Sequence, residues 1–219
     1  MAKGGKGGFG NTHFKSSTNK APRKSTAGES GEEMWIWLEL KLIADVGVIG
    51  LPNAGKSSFV STISKSKTKI ADYPFTTLAP QLGSVYLKDE YQSFVAADIP
   101  GLIKDAHKGT GLGHQFLRHI ERCKILVHLV DGTVELIDEA YKTIRNELNK
   151  FDRSLEKKHE ILVINKCDLI DKGKLTKIKK ILEERSNKSV HVISTKTKEG
   201  IAEVLKKISV NIQNVHKKS

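Results

Sequence analysis

The stretch Gly50-Leu51-Pro52-Asn53-Ala54-Gly55-Lys56-Ser57 constrains this chain more than any other. It has the G-x-x-x-x-G-K-[ST] spacing of a phosphate-binding loop, and its surroundings suit one. The largely apolar run Ile43-Ala44-Asp45-Val46-Gly47-Val48-Ile49 before it reads as a buried strand, and Ser58-Phe59-Val60-Ser61-Thr62-Ile63 after it reads as a helix. In such a loop the glycines let backbone N–H groups turn inward around an anion. The helix N-terminus adds its dipole, Lys56 adds a point charge and Ser57 adds a hydroxyl for Mg²⁺.

Three further elements follow in the order a guanine-nucleotide site needs. Asp98-Ile99-Pro100-Gly101 ends the apolar run Phe94-Val95-Ala96-Ala97. Asp98 is placed to hold the water shell of Mg²⁺, and the Gly101 N–H to approach a γ-phosphate. Asn165-Lys166-Cys167-Asp168 ends the run Ile161-Leu162-Val163-Ile164. A carboxylate at Asp168 accepts two hydrogen bonds from the N1–H and N2–H₂ edge of guanine, a donor pair that adenine lacks. Ser194-Thr195-Lys196 ends the run Val190-His191-Val192-Ile193 and is expected to close over the base with a backbone N–H. Each short pattern alone is an ordinary turn. Together they fall at the C-terminal ends of predicted strands, where open α/β sheets bind ligands.

From Lys41 onward strands and helices alternate. Strands are expected near 42–49, 82–88, 92–98, 125–131, 161–165 and 190–194, and helices near 56–64, 113–121, 135–152, 174–186 and 199–213. The short turn Lys88-Asp89-Glu90-Tyr91 makes 82–88 and 92–98 a hairpin, while helices separate the other strands and make them parallel. The expected fold is an α/β P-loop NTPase: three layers, with a six-stranded, mostly parallel sheet and one antiparallel edge strand. Residues 65–80 and 101–113 lack periodicity and flank the phosphate site, which is where switch segments belong.

The 219 residues carry 37 Lys and Arg against 25 Asp and Glu, a formal charge of +12. Such an excess suits an anionic partner, with a merely solvated basic face as the alternative. The lysines of Lys172-Gly173-Lys174 and Lys177, Lys179 and Lys180 read first as such a face. His114 and His119 stand five apart, poor spacing for a shared metal. Cys123 and Cys167 are too few and too placed for a disulfide framework, which indicates a reducing compartment. No apolar stretch approaches the ~20 residues of a membrane span. Residues 1–33 are rich in glycine, serine and lysine and cannot bury a core alone. They are expected to be disordered or the tail of a larger unit. Trp35 and Trp37 are expected to pack against a partner surface, most simply the domain itself.

The chain resembles the Obg GTPases. The resemblance is carried by Gly4-Gly5-Lys6-Gly7-Gly8 to Asn11, His13-Phe14-Lys15-Ser16-Ser17-Thr18-Asn19, Ala21-Pro22-Arg23, Leu38 to Gly47, the GLPNAGKS loop, Ile70 to Leu78, and Gly111 to Cys123. It implies that residues 1–41 are the tail of a glycine-rich N-terminal domain plus a linker, with most of that domain lying before Met1. A GTP-binding domain over 42–214 and a short tail over 215–219 follow. It implies a cytoplasmic, monomeric, slow GTPase acting in large ribosomal subunit assembly and stress response. Its partners would be GTP, GDP, the large subunit or its rRNA, with guanosine tetraphosphate as a candidate for the same site. The competing reading is a nucleotide-gated ribosome- or RNA-binding module in which turnover is incidental.

The resemblance also assigns roles. Lys56 bridges the phosphates. Phe75, Thr76, Thr77, Leu78 and Ala79 form the first switch. Thr77, twenty residues after Ser57, joins Ser57 as a direct Mg²⁺ ligand, with Thr76 the adjacent competitor. Leu102 stands where the best-known small GTPases carry a water-orienting glutamine, which implies slow hydrolysis. Asn53, in a Pro-Asn before the Gly-Lys, implies a K⁺ ion beside the transferring phosphate. Lys56, Thr77, Gly101 and Asn53 are thus the expected catalytic set. Lys104 and Asp105 replace an expected Glu and Gly in the second switch.

Overall fold

In the computed structural model the described residues are 2–37, 44–64, 69–70, 81–87, 92–99, 120–152, 155 and 157–216. The chain divides into two compact units, Met1–Leu40 and Lys41–Ser219. The switch segments expected over 65–80 and 101–113, and the helix expected over 113–121, lie almost wholly outside the described residues.

The second unit is built on strands β1 (Ala44–Ile49), β2 (Lys69–Ile70), β3 (Gln81–Leu87), β4 (Gln92–Asp98), β5 (Cys123–Asp131), β6 (His159–Asn165) and β7 (Val190–Val192). Its helices are α1 (Lys56–Ile63), α2 (Ile137–Phe151), α3 (Lys172–Ser186) and α4 (Ile201–His216). All six expected strands form one mixed sheet in the order β2-β3-β4-β1-β5-β6-β7. β3 runs antiparallel to β4, with Gln81 opposite Asp98 and Leu87 opposite Gln92. β4, β1, β5, β6 and β7 run parallel. The two-residue β2 pairs antiparallel beyond β3 and carries the sheet one strand further than expected. Two residues are too few to show a period of two, so the sequence does not announce it.

Strand alternation assigns the layers. Ile125, Val127 and Leu129 of β5 share a buried cluster with Phe59, Val60 and Ile63 of α1 and with Val204 and Ile208 of α4. On the opposite face Leu126 packs with Ile144 and Leu148 of α2, and Val130 with Ile137, Tyr141, Ile178 and Leu182 of α2 and α3. In α2 the apolar positions Ile137, Tyr141, Ile144 and Leu148 repeat on one helical face, and the acids Asp138 and Glu139 occupy the favourable N-terminal turn. Asp171 caps α3 by accepting the Lys174 N–H at 3.0 Å, and Asn187 ends it in the left-handed region. α4 runs to His216, two residues into the stretch expected as a tail. Each fully buried Leu, Ile or Phe contributes ~1.5–3 kcal/mol.

β1 is central. The chain goes first to the β3–β4 side of it and then crosses to β5, β6 and β7. The loop after β1 therefore opens at the reversal of strand order, the usual crevice of such sheets.

The first unit is ordered without a core. Between residues 2 and 37 only Pro22 is buried. Two stretches run antiparallel and are joined by backbone hydrogen bonds from Glu32 N–H to the Lys3 carbonyl, Glu29 to Lys6 and Thr26 to Phe9, at 2.8, 2.8 and 3.0 Å. The three-residue spacing is that of a polyproline II helix. Glycine is required where the stretches touch: a Cβ on Gly5 would lie 1.9 Å from the Glu29 carbonyl oxygen, and one on Gly8 1.9 Å from that of Thr26. Composition alone hid this, because ladder bonds every third residue follow neither the helix nor the strand period. Trp35 and Trp37 are not buried within this unit. They lie in an irregular stretch with no ladder to fix a buried face.

Candidate functional site

The loop between β1 and α1 is shaped by backbone that ordinary residues avoid. Gly50 has φ 149° and Gly55 φ 93°, and Asn53, not a glycine, sits at φ 62°. A Cβ on Gly50 would meet the Leu129 carbonyl oxygen at 2.3 Å, and one on Gly55 the Asn165 Nδ2 at 2.2 Å. Glycine at these two positions thus lets the loop lie against β5 and β6. Leu51 and Pro52 complete the loop, and Ala54 is buried beneath it.

Lys56, the first residue of α1, is 6 % exposed and donates to the Leu51 carbonyl at 3.0 Å. Burial pushes its ammonium below the usual lysine range, and the Asp98 charge opposes that shift. Ser57 Oγ donates to Asp98 Oδ2. The other Asp98 oxygen, Oδ1, is buried and has no hydrogen-bond partner. Asp98 ends β4 directly beside β1, in register with Val48, and the Ile99 N–H donates to the Val48 carbonyl. Strand pairing alone therefore brings the loop hydroxyl and the carboxylate together. A buried lone carboxylate oxygen next to a serine hydroxyl is a hard-oxygen donor set that suits Mg²⁺.

Asn165 is fully buried and joins two loops. Its Nδ2 donates to the Ala54 carbonyl at 2.9 Å, and its Oδ1 accepts the Thr195 N–H at 3.2 Å. Lys166 follows at φ 65° and reaches Asp131 Oδ2 at 2.6 Å. Asp131 also accepts from the Thr133 N–H and hydroxyl at 2.9 and 2.7 Å. Burial would raise its carboxyl, but the hydrogen bonds from Lys166 and Thr133 hold it below the usual carboxylate range. Asp168 is exposed, and its Oδ1 accepts from Ser194 Oγ at 2.6 Å. That hydroxyl in turn accepts the Thr197 N–H at 3.0 Å. Cys167 is buried behind this edge, with its N–H on the Ile193 carbonyl. Neither cysteine is in a disulfide. Lys196 is exposed on the last loop.

Four non-glycine residues among those described have positive φ. Three of them, Asn53, Lys166 and Lys198, lie in the loops at this end of the sheet. Asparagine tolerates this region, whereas lysine there is uncommon and is held by the surrounding loop. The structure thus unites the residues expected in the phosphate loop, Asp98 and Ile99, Asn165 to Asp168, and Ser194 to Lys196. Phe75, Thr76, Thr77, Leu78, Ala79, Pro100, Gly101 and Leu102 lie outside the described residues. Asp131 was missed by the sequence reading. Its one signal is Asp131-Gly132-Thr133 at the end of β5, in line with the other strand ends.

The arrangement offers an anion cradle with a buried cation at one end and an exposed, oriented carboxylate at the other. Residues 45–166 match the family described as 50S ribosome-binding GTPase, and residues 1–42 match the family described as GTP1/OBG. The chain is 56 % identical to the GTPase Obg of Rickettsia prowazekii and 54 % identical to that of Rickettsia typhi. In each case 94 % of this chain aligns with 62 % of the relative, so the chain spans less than two thirds of the curated relatives it matches. Among solved structures, the G domain of the Thermotoga maritima FeoB iron transporter superposes with TM-score 0.58 at 21 % identity, covering 76 % of this chain and 96 % of that one. Aquifex aeolicus Era bound to GDP·AlF₄⁻ gives 0.57 at 21 %, covering 77 % and 56 %. A structure of Era with MgGDPNP and a segment of 16S ribosomal RNA gives 0.58 at 21 %, covering 78 % and 56 %. These likenesses speak to the fold alone. With a family match over residues 45–166 and the Obg resemblance borne out by the curated relatives, the chain belongs to the 50S ribosome-binding GTPases.

Proposed function

We propose that this chain binds guanine nucleotide with Mg²⁺, hydrolyses GTP slowly, and serves as a nucleotide-controlled switch in large ribosomal subunit assembly. One observation carries the reading: Asp98 holds one oxygen buried without a partner and the other on Ser57, beside the buried ammonium of Lys56. A buried unpaired carboxylate oxygen is costly, and its persistence suits a group waiting for a charge.

In this reading Gly50 to Ser57 wrap the β- and γ-phosphates with backbone N–H groups, and Lys56 neutralises the charge between them. Ser57, Thr77 and Asp98 would hold Mg²⁺, which when bound supplies charge neutralisation at the phosphates. Gly101 donates its N–H to the γ-phosphate. Phe75 to Ala79 form the first switch. Asp168, aimed by Ser194, selects guanine, while Asn165 and Lys166 brace the base loop against the phosphate loop and Ser194 to Lys196 close over the base. Asn53 supports a K⁺ ion beside the reaction, worth what an arginine finger supplies electrostatically. Residues 1–41 belong to the end of a glycine-rich domain, and 42–214 to the nucleotide-binding domain. The ribosomal partner is supported by the family description and by the +12 charge. Guanosine tetraphosphate fits the same base and phosphate contacts. Among the described residues no helix is long and apolar enough to cross a membrane, and we place the activity in the cytoplasm, on a monomer.

A second reading, a GTP-clamped binding module with incidental turnover, is favoured by Leu102, which cannot orient water. Titration of GDP, GTP and ATP with Mg²⁺, followed by multiple-turnover phosphate release with and without ribosomes, tests both. Guanine binding without ATP competition, with release accelerated by ribosomes, is the expected result. Comparable ATP affinity would remove Asp168 as selector, and release unchanged by ribosomes would favour the module.

A further inference from the structure

A cleft of about 590 Å³ opens at the end of the sheet opposite the loops just described. His159 begins β6, Lys188 precedes β7, Arg145 comes from α2, Lys207 and Asn211 from α4, and Lys157 from the approach to β6. β6 rises ~3.3 Å per residue, so the six steps from His159 to Asn165 set the cleft ~20 Å from the nucleotide loops. Nothing in the nucleotide reading uses these residues.

The lining is cationic. Its one carboxylate, Glu160, has a wholly buried side chain and is taken up within the protein: by His128 Nδ1 at 2.8 Å, by Lys188 Nζ at 2.5 Å and by Arg145 at 3.5 Å. Lys158 Nζ is likewise engaged, on the Glu121 and Cys123 carbonyls. Lys157 and Lys207 remain exposed at the rim.

The lining also holds a donor with nothing to donate to. Asn211 is 7 % exposed, and its Nδ2 has no hydrogen-bond partner. A buried N–H left so costs ~1–3 kcal/mol, which an acceptor in the cleft removes. His159, whose ring N–H is accepted by the Asn211 amide oxygen and not by Nδ2, sits below the ordinary histidine range, first through burial and then through Lys188, with Lys207 adding to the shift. Asn211 and Glu160 act the other way and do not overcome it. The local field is thus positive even after Glu160 is counted.

We propose that this cleft binds a multiply charged, phosphate-bearing anion at a site separate from the nucleotide loops. Its volume lies within the ~300–1,000 Å³ of small-molecule sites. The same cations and donor suit either a free phosphorylated metabolite or the internucleotide phosphates of an RNA strand, and the two sources separate by experiment. The probes are sodium tripolyphosphate and a short single-stranded RNA, each titrated in about 0.1 M salt into the full chain with saturating GDP and Mg²⁺. The readout is the His159 imidazole pKa by NMR, which responds to charge in the cleft, whereas charge ~20 Å away lies about two Debye lengths off and is largely screened. The expected result is a rise of about one unit in that pKa with at least one probe. Lys207→Ala and Lys157→Ala are expected to weaken the effective affinity about fivefold each, as loss of one phosphate contact does. Lys180→Ala, on the exposed face of α3, is expected to change nothing. A response to RNA alone assigns the phosphates to a strand, and a response to tripolyphosphate alone assigns them to a small molecule. A His159 pKa unmoved by both probes overturns the site, as does a Lys180→Ala variant as impaired as Lys207→Ala.

Discussion

At the C-terminal end of the sheet Asp98 keeps one carboxylate oxygen buried and unpartnered, while Asp168 is exposed and accepts from the Ser194 hydroxyl. At the N-terminal end the Glu160 carboxylate is ringed by His128, Lys188 and Arg145. The same strands run between the two. The difference teaches how to tell a carboxylate that holds the protein from one that serves a ligand. The first is satisfied from within, on ordinary backbone. The second is left partly unsatisfied among loops at positive φ. Replacing the first is expected to lower stability and leave nucleotide affinity alone, and replacing the second is expected to lower affinity and leave stability alone.

The largest effect is expected at Glu160. Glu160→Gln leaves His128 buried without its carboxylate and removes the partner of the partly exposed Lys188, and breaking such a buried pair is expected to cost about 3 kcal/mol, with GDP affinity unchanged. Burial would raise the Glu160 carboxyl, but the His128 hydrogen bond and charge and the Lys188 contact bring it down to about 2 from an ordinary 4.5. A depressed folded pKa contributes stability that is fully present above pH 4.5 and lost as pH falls toward about 2. Urea unfolding of both proteins across that window is expected to show the gap narrowing toward low pH. A gap that stays constant would mean that Glu160 acts by shape and not by charge.

Next is Asp168→Asn, expected to weaken GDP about a hundredfold, the value of a charged bidentate contact of ~3 kcal/mol, while the unfolding midpoint stays in place. Affinity for the xanthine nucleotide is expected to rise. A drop in stability with no change in base preference would move Asp168 into the structural class and break the contrast.

A smaller change is expected from Asn53→Gly. Glycine tolerates φ 62° and removes only the side chain. Phosphate release is expected to be about tenfold faster in KCl than in NaCl for the parent chain and equal in the two salts for the variant. Equal rates in the parent would dispose of the K⁺ role. The smallest effect is at Asp171, which caps α3 beside the base loop. Asp171→Ala is expected to lower stability by about 1 kcal/mol and leave GDP binding untouched. It sharpens the contrast, because this carboxylate stands at the functional end of the sheet yet is satisfied by the Lys174 N–H.

Much of this was legible in the sequence, for identifiable reasons. Strands β1, β4, β5 and β6 are long and largely apolar, and the glycine loop, Asp98 and Asn165 stand at strand ends with Ser194 just past β7, so that chain order alone sets them along one edge. Register then did the rest: β4 beside β1 brings Asp98 to Ser57. The losses have physical causes too. Asp131 acts through Lys166, thirty-five residues away, and no local pattern marks such a pairing. His128 and Glu160 meet across adjacent strands with Arg145 arriving from α2, and a lone histidine in an apolar strand carries no trace of its partners.

The hydrogen bonds that join Lys3, Lys6 and Phe9 to Glu32, Glu29 and Thr26 give the first unit something like a reading frame. At three residues per turn, an insertion of one residue between Lys3 and Phe9 rotates everything after it by a third of a turn. That swings a side chain into the gap where Gly8 now lies against the Thr26 carbonyl. Insertions or deletions in threes keep the phase, and all others lose it. This stretch can therefore drift in side chains facing water while its length stays quantised, a constraint that the looped sheet beside it in the sequence does not share.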